Sequence, residues 1–299
     1  MRAPGRLDAV VSGYASLDEA FRASHHAGGG ETAILRGPVH PTAGRGGCGP
    51  NAALALARLG LRSGLVTWLG DDPDGRAYFD HLRAAGVDLT GVEVGHGRSP
   101  RSLLIYDPDG AAACYFHPSR SAEQRLSQAL RAQLAEVGWL AITVGPASVT
   151  QSLLDAAAPD TRLAWNVKAD RAAFPPELVR RLIRSEVVCL NEAELAFVAR
   201  QVGNGFAASS EALVDVGAGC VALTMGRRGY RLVSRDEQLT ETVEPIEASD
   251  PTGAGDAFFA GFLAALIRGA SLRDAGRQAA ALAAELLRSR PTAAGGGAA

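Results

Sequence analysis

The sequence predicts an α/β fold: a mainly parallel sheet flanked by helices on both faces, with a small β lid. Three observations predict it. Short apolar runs alternate with helical patterns along most of the chain, the rhythm of strand–helix units in a parallel sheet. Helical stretches end at glycines such as Gly60 and Gly86, as helix stops do. Two stretches, about 13–45 and 98–117, break the rhythm and read as β-like pieces that could cover the sheet's carboxyl edge.

In order, LDAVVSG (7–13) is the first buried strand, closed by a glycine. Residues 22–47 are rich in Gly, Pro, His and Thr and show no helical period. PNAALALARLG (50–60) is a helix with Pro50 in its first turn and Gly60 as its stop. SGLVTWLG (63–70) is the next strand and GRAYFDHLRAAG (75–86) the next helix. RSLLIYDPDGAAACYF (101–116) holds two β-like runs joined by DPDG, a hairpin signal. Alternation then resumes with a helix near 123–136, strand 139–145, a helix near 148–158 and strand 162–167. A helix near 176–184 leads to strand 186–191, and helices at 192–201 and 209–217 lead to strand 220–226. A hairpin-like pair, YRLVS and LTETVEP, precedes helices near 254–268 and 272–288.

The 299 residues suit one large domain or two modest ones. Thirty Lys+Arg against 32 Asp+Glu leave a net charge of −2, which argues against nucleic acid or a membrane surface as partner. Cys48, Cys114, Cys189 and Cys220 form no CxxC pair and read as reduced thiols of a cytoplasmic protein. No two histidines show the i, i+4 spacing of a metal helix. The N-terminus lacks the apolar core of a signal peptide. The longest apolar run, AFFAGFLAALI (257–267), is too short to span a bilayer. The tail 293–299 (AAGGGAA) reads as disordered.

Three glycine-rich stretches carry the functional signal. Residues 44–49 match GxGxxG, but the dinucleotide fingerprint needs a strand directly before it, and HPTAGRG stands there. A flexible turn, or close approach of backbone to a small ligand with Asn51 supplying its amide, fits better. Thr224, Gly226 and Gly229 lie at a strand end, either as a tight turn or as a surface on which a nucleotide lies. In SDPTGAGDAF (249–258), Asp250 and Thr252 can bond the turn backbone and Pro251 fixes φ. Gly253, Ala254 and Gly255 leave backbone N–H groups unshielded at a helix start, a site for phosphate. Asp256 behind them is either an acid complementing the helix dipole or a base that orients a hydroxyl toward a transferring phosphoryl group.

GGCGPNAALALARLG and DPTGAGDAFFAG resemble the two signature regions of the ribokinase-like carbohydrate and purine kinases, the phosphofructokinase B group. The likeness runs in order from LDAVVSG to the last helix. It implies a ribokinase-like kinase that uses ATP and Mg²⁺, with Asp256 as catalytic base and Gly253, Ala254 and Gly255 as anion hole. Asn191 and Glu194 are similar to the family's Asn-x-x-Glu motif, which organises Mg²⁺ and phosphate largely through water. Read without the resemblance, they are a strand-end cap and a solvated first-turn acid. Thr224, Gly226 and Gly229 resemble the nucleotide-binding strand end, and Asp18, Gly46, Gly47 and Asn51 the acceptor-binding positions. Asp18 could otherwise be a surface acid. Asp250 aligns near a monovalent-cation site, for which K⁺ is the candidate.

Two departures bear on the acceptor. Cys48 replaces the lysine of the ribokinase GGKGAN version. In Ala164–Lys168 (AWNVK), Asn166 and Lys168 are similar to the sugar-acid kinases' Asp-x-Asn-x-Arg, but Ala164 lacks the acid. Lys168 would meet a phosphate or a substrate carboxylate, or snorkel at the surface.

The resulting expectation is one kinase domain over 1–292, passing the γ-phosphate of ATP to a primary hydroxyl of a small sugar. A nucleoside kinase is the alternative, with Tyr14 and Phe116 near the lid. A relative that senses sugar or nucleotide without turnover is the second. Lid strands pairing between two chains would make a homodimer.

Overall fold

The structure, a computed structural model, describes residues 6–39, 43–203, 205–246 and 251–289. The chain opens with β1 (Ala9–Ser12), β2 (Ser16–Ala23), β3 (Leu35–Pro38), β4 (Gly44–Gly46), α1 (Cys48–Arg58), β5 (Ser63–Gly70), α2 (Pro73–Ala84) and β6 (Asp88–Gly95). It continues with β7 (Arg101–Tyr106), β8 (Ala112–His117), α3 (Gln128–Leu134), β9 (Trp139–Ile142), α4 (Ala147–Ala156), β10 (Arg162–Asn166), α5 (Pro176–Leu182) and β11 (Val187–Asn191). Then come α6 (Glu192–Val202), α7 (Ser210–Asp215), β12 (Cys220–Thr224), β13 (Tyr230–Ser234), β14 (Gln238–Glu241), α8 (Ala254–Ile267) and α9 (Leu272–Arg288).

Among the described residues, nine strands form the main sheet in the order β14-β13-β12-β11-β10-β9-β1-β5-β6. All pairings from β12 to β6 are parallel; β13 and β14 add an antiparallel edge. Central β1 pairs Ala9 with Ser63 of β5 on one side and Trp139 of β9 on the other. The chain therefore winds outward in both directions from β1, and such a crevice at the strands' carboxyl ends is where ligands bind in open α/β sheets.

Both faces of the sheet are covered. Ala9, Val11, Cys189 and Ala222 pack on one side with α1, α2, α8 and α9. Val10, Leu140, Ile142, Val188 and Leu190 pack on the other with residues of α3 to α7. Because neither face meets water, the strands read as apolar runs rather than alternating ones. Helix α8 is buried along nearly its whole length and, Asp256 apart, is apolar all round, as an enclosed helix is. Gly261 brings it close to α9: a Cβ there would stand 2.9 Å from the Cα of Ala279.

The irregular stretches form a second sheet, ordered β3-β2-β7-β8 with β4 on β2. The DPDG hairpin is present: β7 and β8 pair antiparallel, with Gly110 at φ 82° in the turn. Edge strand β6 is not legible in the sequence, since Gly91 and the acids of DLTGVEVG blur its pattern. Gly91 is required there, because a Cβ would lie 2.6 Å from the carbonyl oxygen of Leu65. No helix among the described residues is long and apolar enough to cross a membrane.

Candidate active site

The carboxyl ends of the parallel strands bring the sequence-selected residues to one edge. Asn166 ends β10 with Lys168 two residues on, Asn191 ends β11, and Thr224 ends β12. Helix α8 points its N-terminus toward this edge. Gly253 caps it at φ 85°, a left-handed backbone that favours glycine. The Ala254 amide is committed to the carbonyl of Pro251 at 3.2 Å. Gly255 is exposed, and a Cβ added there would meet nothing within 4 Å. Of the three residues expected to form an anion hole, Ala254 has its amide engaged within the turn, and the space beside Gly255 is open.

Asp256, in the first turn of α8, is 5% exposed. Asn51 Nδ2 donates to its Oδ2 at 3.0 Å and Asn166 Nδ2 to its Oδ1 at 3.0 Å. The Cys48 thiol faces it as well: burial, then the Asp256 carboxylate, push that thiol well above its usual range. The acid read as either a dipole complement or a base therefore sits inside the fold, held by two side-chain amides. Asn51, expected on the acceptor side, spends its amide on this carboxylate.

Asn191 and Glu194 form a reciprocal capping box. Glu194 N donates to Asn191 Oδ1 at 2.9 Å, and Asn191 N to Glu194 Oε2 at 2.8 Å. The cap reading holds locally, but Glu194 is not solvated: it is 7% exposed. Lys168 Nζ stands 3.5 Å from its Oε1. Burial pushes the Glu194 carboxyl up, and Lys168 with the Asn191 amide opposes this without cancelling it. For Lys168, burial works downward, but Cys48, Asp256 and Glu194 together hold the amine above the usual lysine range. Lys168, its side chain 38% exposed, thus stands as a cation beside Glu194 and Asp256.

On the other flank, Asp18 lies in β2 and accepts from Ser16 Oγ at 2.5 Å. The segment 46–51 links it to Asp256. A Cβ at Gly46 would fall 1.8 Å from Asp18 Oδ2, and one at Gly47, already at φ 102°, 2.2 Å from the carbonyl oxygen of Tyr14. Five residues on, Asn51 holds the other acid. Tyr14 pairs with Phe116 of β8, ring centroids 4.7 Å apart. Burial, and then Asp170, push the Tyr14 hydroxyl up to about 12.

A cavity of about 400 Å³ opens beside Gly255. Thr224, Gly226 and Gly229 line it, and Val243, Phe258 and Ala283 give it an apolar wall. Gly226 and Gly229 flank a tight turn between antiparallel β12 and β13, so the turn and the cavity wall are the same residues. Asp109 and Gly110, from the tip of the β7–β8 hairpin, also line it. Tyr106, on the same hairpin, shares a 2.6 Å hydrogen bond with Thr252. Neither contact was legible in the sequence.

Among the described residues, no group of three His, Cys, Asp or Glu could hold a metal ion. Asp250, the residue expected near a monovalent cation, lies outside the described residues, as does the tail 293–299.

The family model described as "pfkB family carbohydrate kinase" matches residues 11–295. A nucleoside kinase of Methanothermobacter thermautotrophicus is 27% identical over 257 residues, covering 83% of this chain and 79% of its own. A fructoselysine 6-kinase of Shigella flexneri is 29% identical over 245 residues, covering 81% and 89%. In fold, the chain is similar to Arabidopsis thaliana ribokinase, solved with ribose and ATP. The TM-score is 0.77 at 22% identity, over 96% of this chain and 94% of that one.

Proposed function

Given that the chain belongs to the pfkB family of carbohydrate kinases, phosphotransferases with an alcohol acceptor, we propose that it passes the γ-phosphate of ATP to a primary hydroxyl of a small sugar. The observation that carries this reading is the placement of Asp256. It is a buried acid in the first turn of α8, directly after Gly255, which lines a cavity of about 400 Å³. It is also tied to the 46–51 segment that touches Asp18.

The nucleotide lies along Thr224, Gly226 and Gly229, with its base against the apolar wall and its phosphates at the Gly255 turn. The acceptor lies between Asp18 and Asp256, and the Asp18 carboxylate takes hydrogen bonds from its hydroxyls. Asp256 orients the attacking hydroxyl and accepts its proton, while the turn amides and Lys168 stabilise the charge on the moving phosphoryl group. The second sheet acts as a lid that excludes water.

Mg²⁺ bound to the phosphates would neutralise their charge. Both Glu194 oxygens are engaged, one by Asn191 N and one facing Lys168. The donor set therefore fits a hydrated ion reached through water from Asn191 and Glu194, not direct ligation.

A nucleoside acceptor is the second reading. It is favoured by the Tyr14–Phe116 pair beside the acceptor segment, on which a base could stack, and by the nucleoside kinase among the relatives. ADP release over D-ribose, D-fructose, D-gluconate and inosine decides between them. Turnover with inosine alone selects the nucleoside reading. Tight binding with no turnover anywhere would sink the kinase reading in favour of a sensor. The four cysteines are free, which suits the reducing cytoplasm.

We further propose a homodimer through the second sheet, where Ile34, Leu35, Leu103 and Tyr115 stand exposed at 38–70%. A monomeric mass by light scattering at assay concentration would remove it.

A further inference from the structure

We propose that Asn166 is a positioning residue: it fixes the Asp256 carboxylate through Oδ1 and leaves Oδ2 as the atom that receives the acceptor's proton. The proposal rests on the kinase reading above.

The two amides that hold Asp256 are not equivalent. Asn166 is 5% exposed and ends β10 inside the sheet, its Cα in register with Cys189 of β11. The next residue, Val167, donates its amide to the carbonyl of Cys189 at 2.9 Å. Its backbone is therefore pinned on both sides of the side chain. Asn51 is only half-buried and sits in the first turn of α1, on the segment that carries Gly46 against Asp18. An acceptor held at Asp18 arrives from that flank. Its hydroxyl can take the place of the Asn51 amide on Oδ2, while the buried Asn166 amide stays on Oδ1.

A carboxylate on a helix's first turn can rotate about χ2, a broad torsion. One donor fixed to the sheet stops that rotation and holds the plane in which the free lone pair points. Lys168, Glu194 and Cys48 also face Asp256. Of these, Cys48 belongs to α1, on the Asn51 side.

The test is Asn166→Leu, which keeps the branched shape and heavy-atom count and removes the donor, with Asn166→Ala as the variant if leucine does not fold. With the best acceptor of the four-compound panel, kcat falls about 10²-fold, the loss that a misplaced reacting group brings, while the KM for ATP is unchanged. In an Asp256→Asn background the same substitution costs no more than a few-fold, because the two residues act as one unit. An equal loss in both backgrounds, or a raised KM with intact kcat, would overturn the proposal. Crystal structures judge it without turnover: the Asp256 carboxylate rotates about χ2 in the variant, and an unmoved carboxylate overturns the assignment. If no acceptor in the panel releases ADP, the kinase reading fails, and the crystallographic arm still decides what holds Asp256.

Discussion

Asp256→Asn loses kcat by roughly 10²–10⁴-fold and keeps its fold and most of its affinity for ATP. The substitution conserves volume and removes only charge and basicity. In a loose phosphoryl-transfer transition state the attacking hydroxyl stays largely protonated until late. Much of the loss is therefore orientation: the new amide offers one acceptor oxygen where the carboxylate offered two. Asn51 and Asn166 both donate to this side chain, so one of them must turn its own carbonyl toward the new NH₂ group. Both can do so by rotating the amide, which keeps the buried groups paired and the stability cost small. Lys168 keeps Glu194 at 3.5 Å. Single-turnover rates with titrated ATP binding check this, and turnover within a few-fold of the parent would remove Asp256 from the chemistry.

What the sequence made legible was local. Helix α8 begins at Ala254, after Gly253, and α9 spans Leu272–Arg288, because apolar periodicity and glycine punctuation act over a few residues. The parallel sheet followed from alternation, and the second sheet from stretches that refused it. Asp256 stood out because an acid behind a glycine-rich turn is unusual company for a long apolar helix. The partners of that acid were not legible. Asn51 is 205 positions away and Asn166 is 90. Nothing in either neighbourhood marks an amide bound for a carboxylate, so only the sheet order could join them. Glu194 shows the same limit from the other side. Its capping box is a four-residue pattern and readable. Its burial and its cation depend on β10 lying beside β11. The Tyr106–Thr252 bond and Asp109 in the cavity wall depend on how the second sheet folds over the first, which no short pattern encodes.

Lys168→Met lowers kcat by about 10²–10³-fold, the range for losing one stabilising group at a developing charge. It also lowers stability in a pH-dependent way. Lys168 stands 3.5 Å from Glu194 Oε1 and faces Asp256 and Cys48. Taking the amine away leaves two acids where the phosphates must arrive. The pair is not dry, since the lysine side chain is 38% exposed. Its contribution therefore lies between those of exposed and fully buried pairs, roughly 1–3 kcal/mol. The sign with pH follows from Glu194. Burial already holds its carboxyl above the usual range, against the pull of Lys168, and without the lysine it rises further. A carboxyl raised in the folded state favours folding in acid and loses that contribution as pH climbs through its folded value. The gap in Tm between variant and parent is therefore smallest near the unfolded value of about 4.3 and widens toward pH 8. Adding Glu194→Gln separates the two effects. Gln can accept the Asn191 amide in the same capping box and needs no cation, so the double variant regains stability at pH 8 but not turnover. Full turnover in Lys168→Met at saturating ATP would show that the amine serves only Glu194, and the charge on the phosphoryl group would then rest on the α8 turn alone.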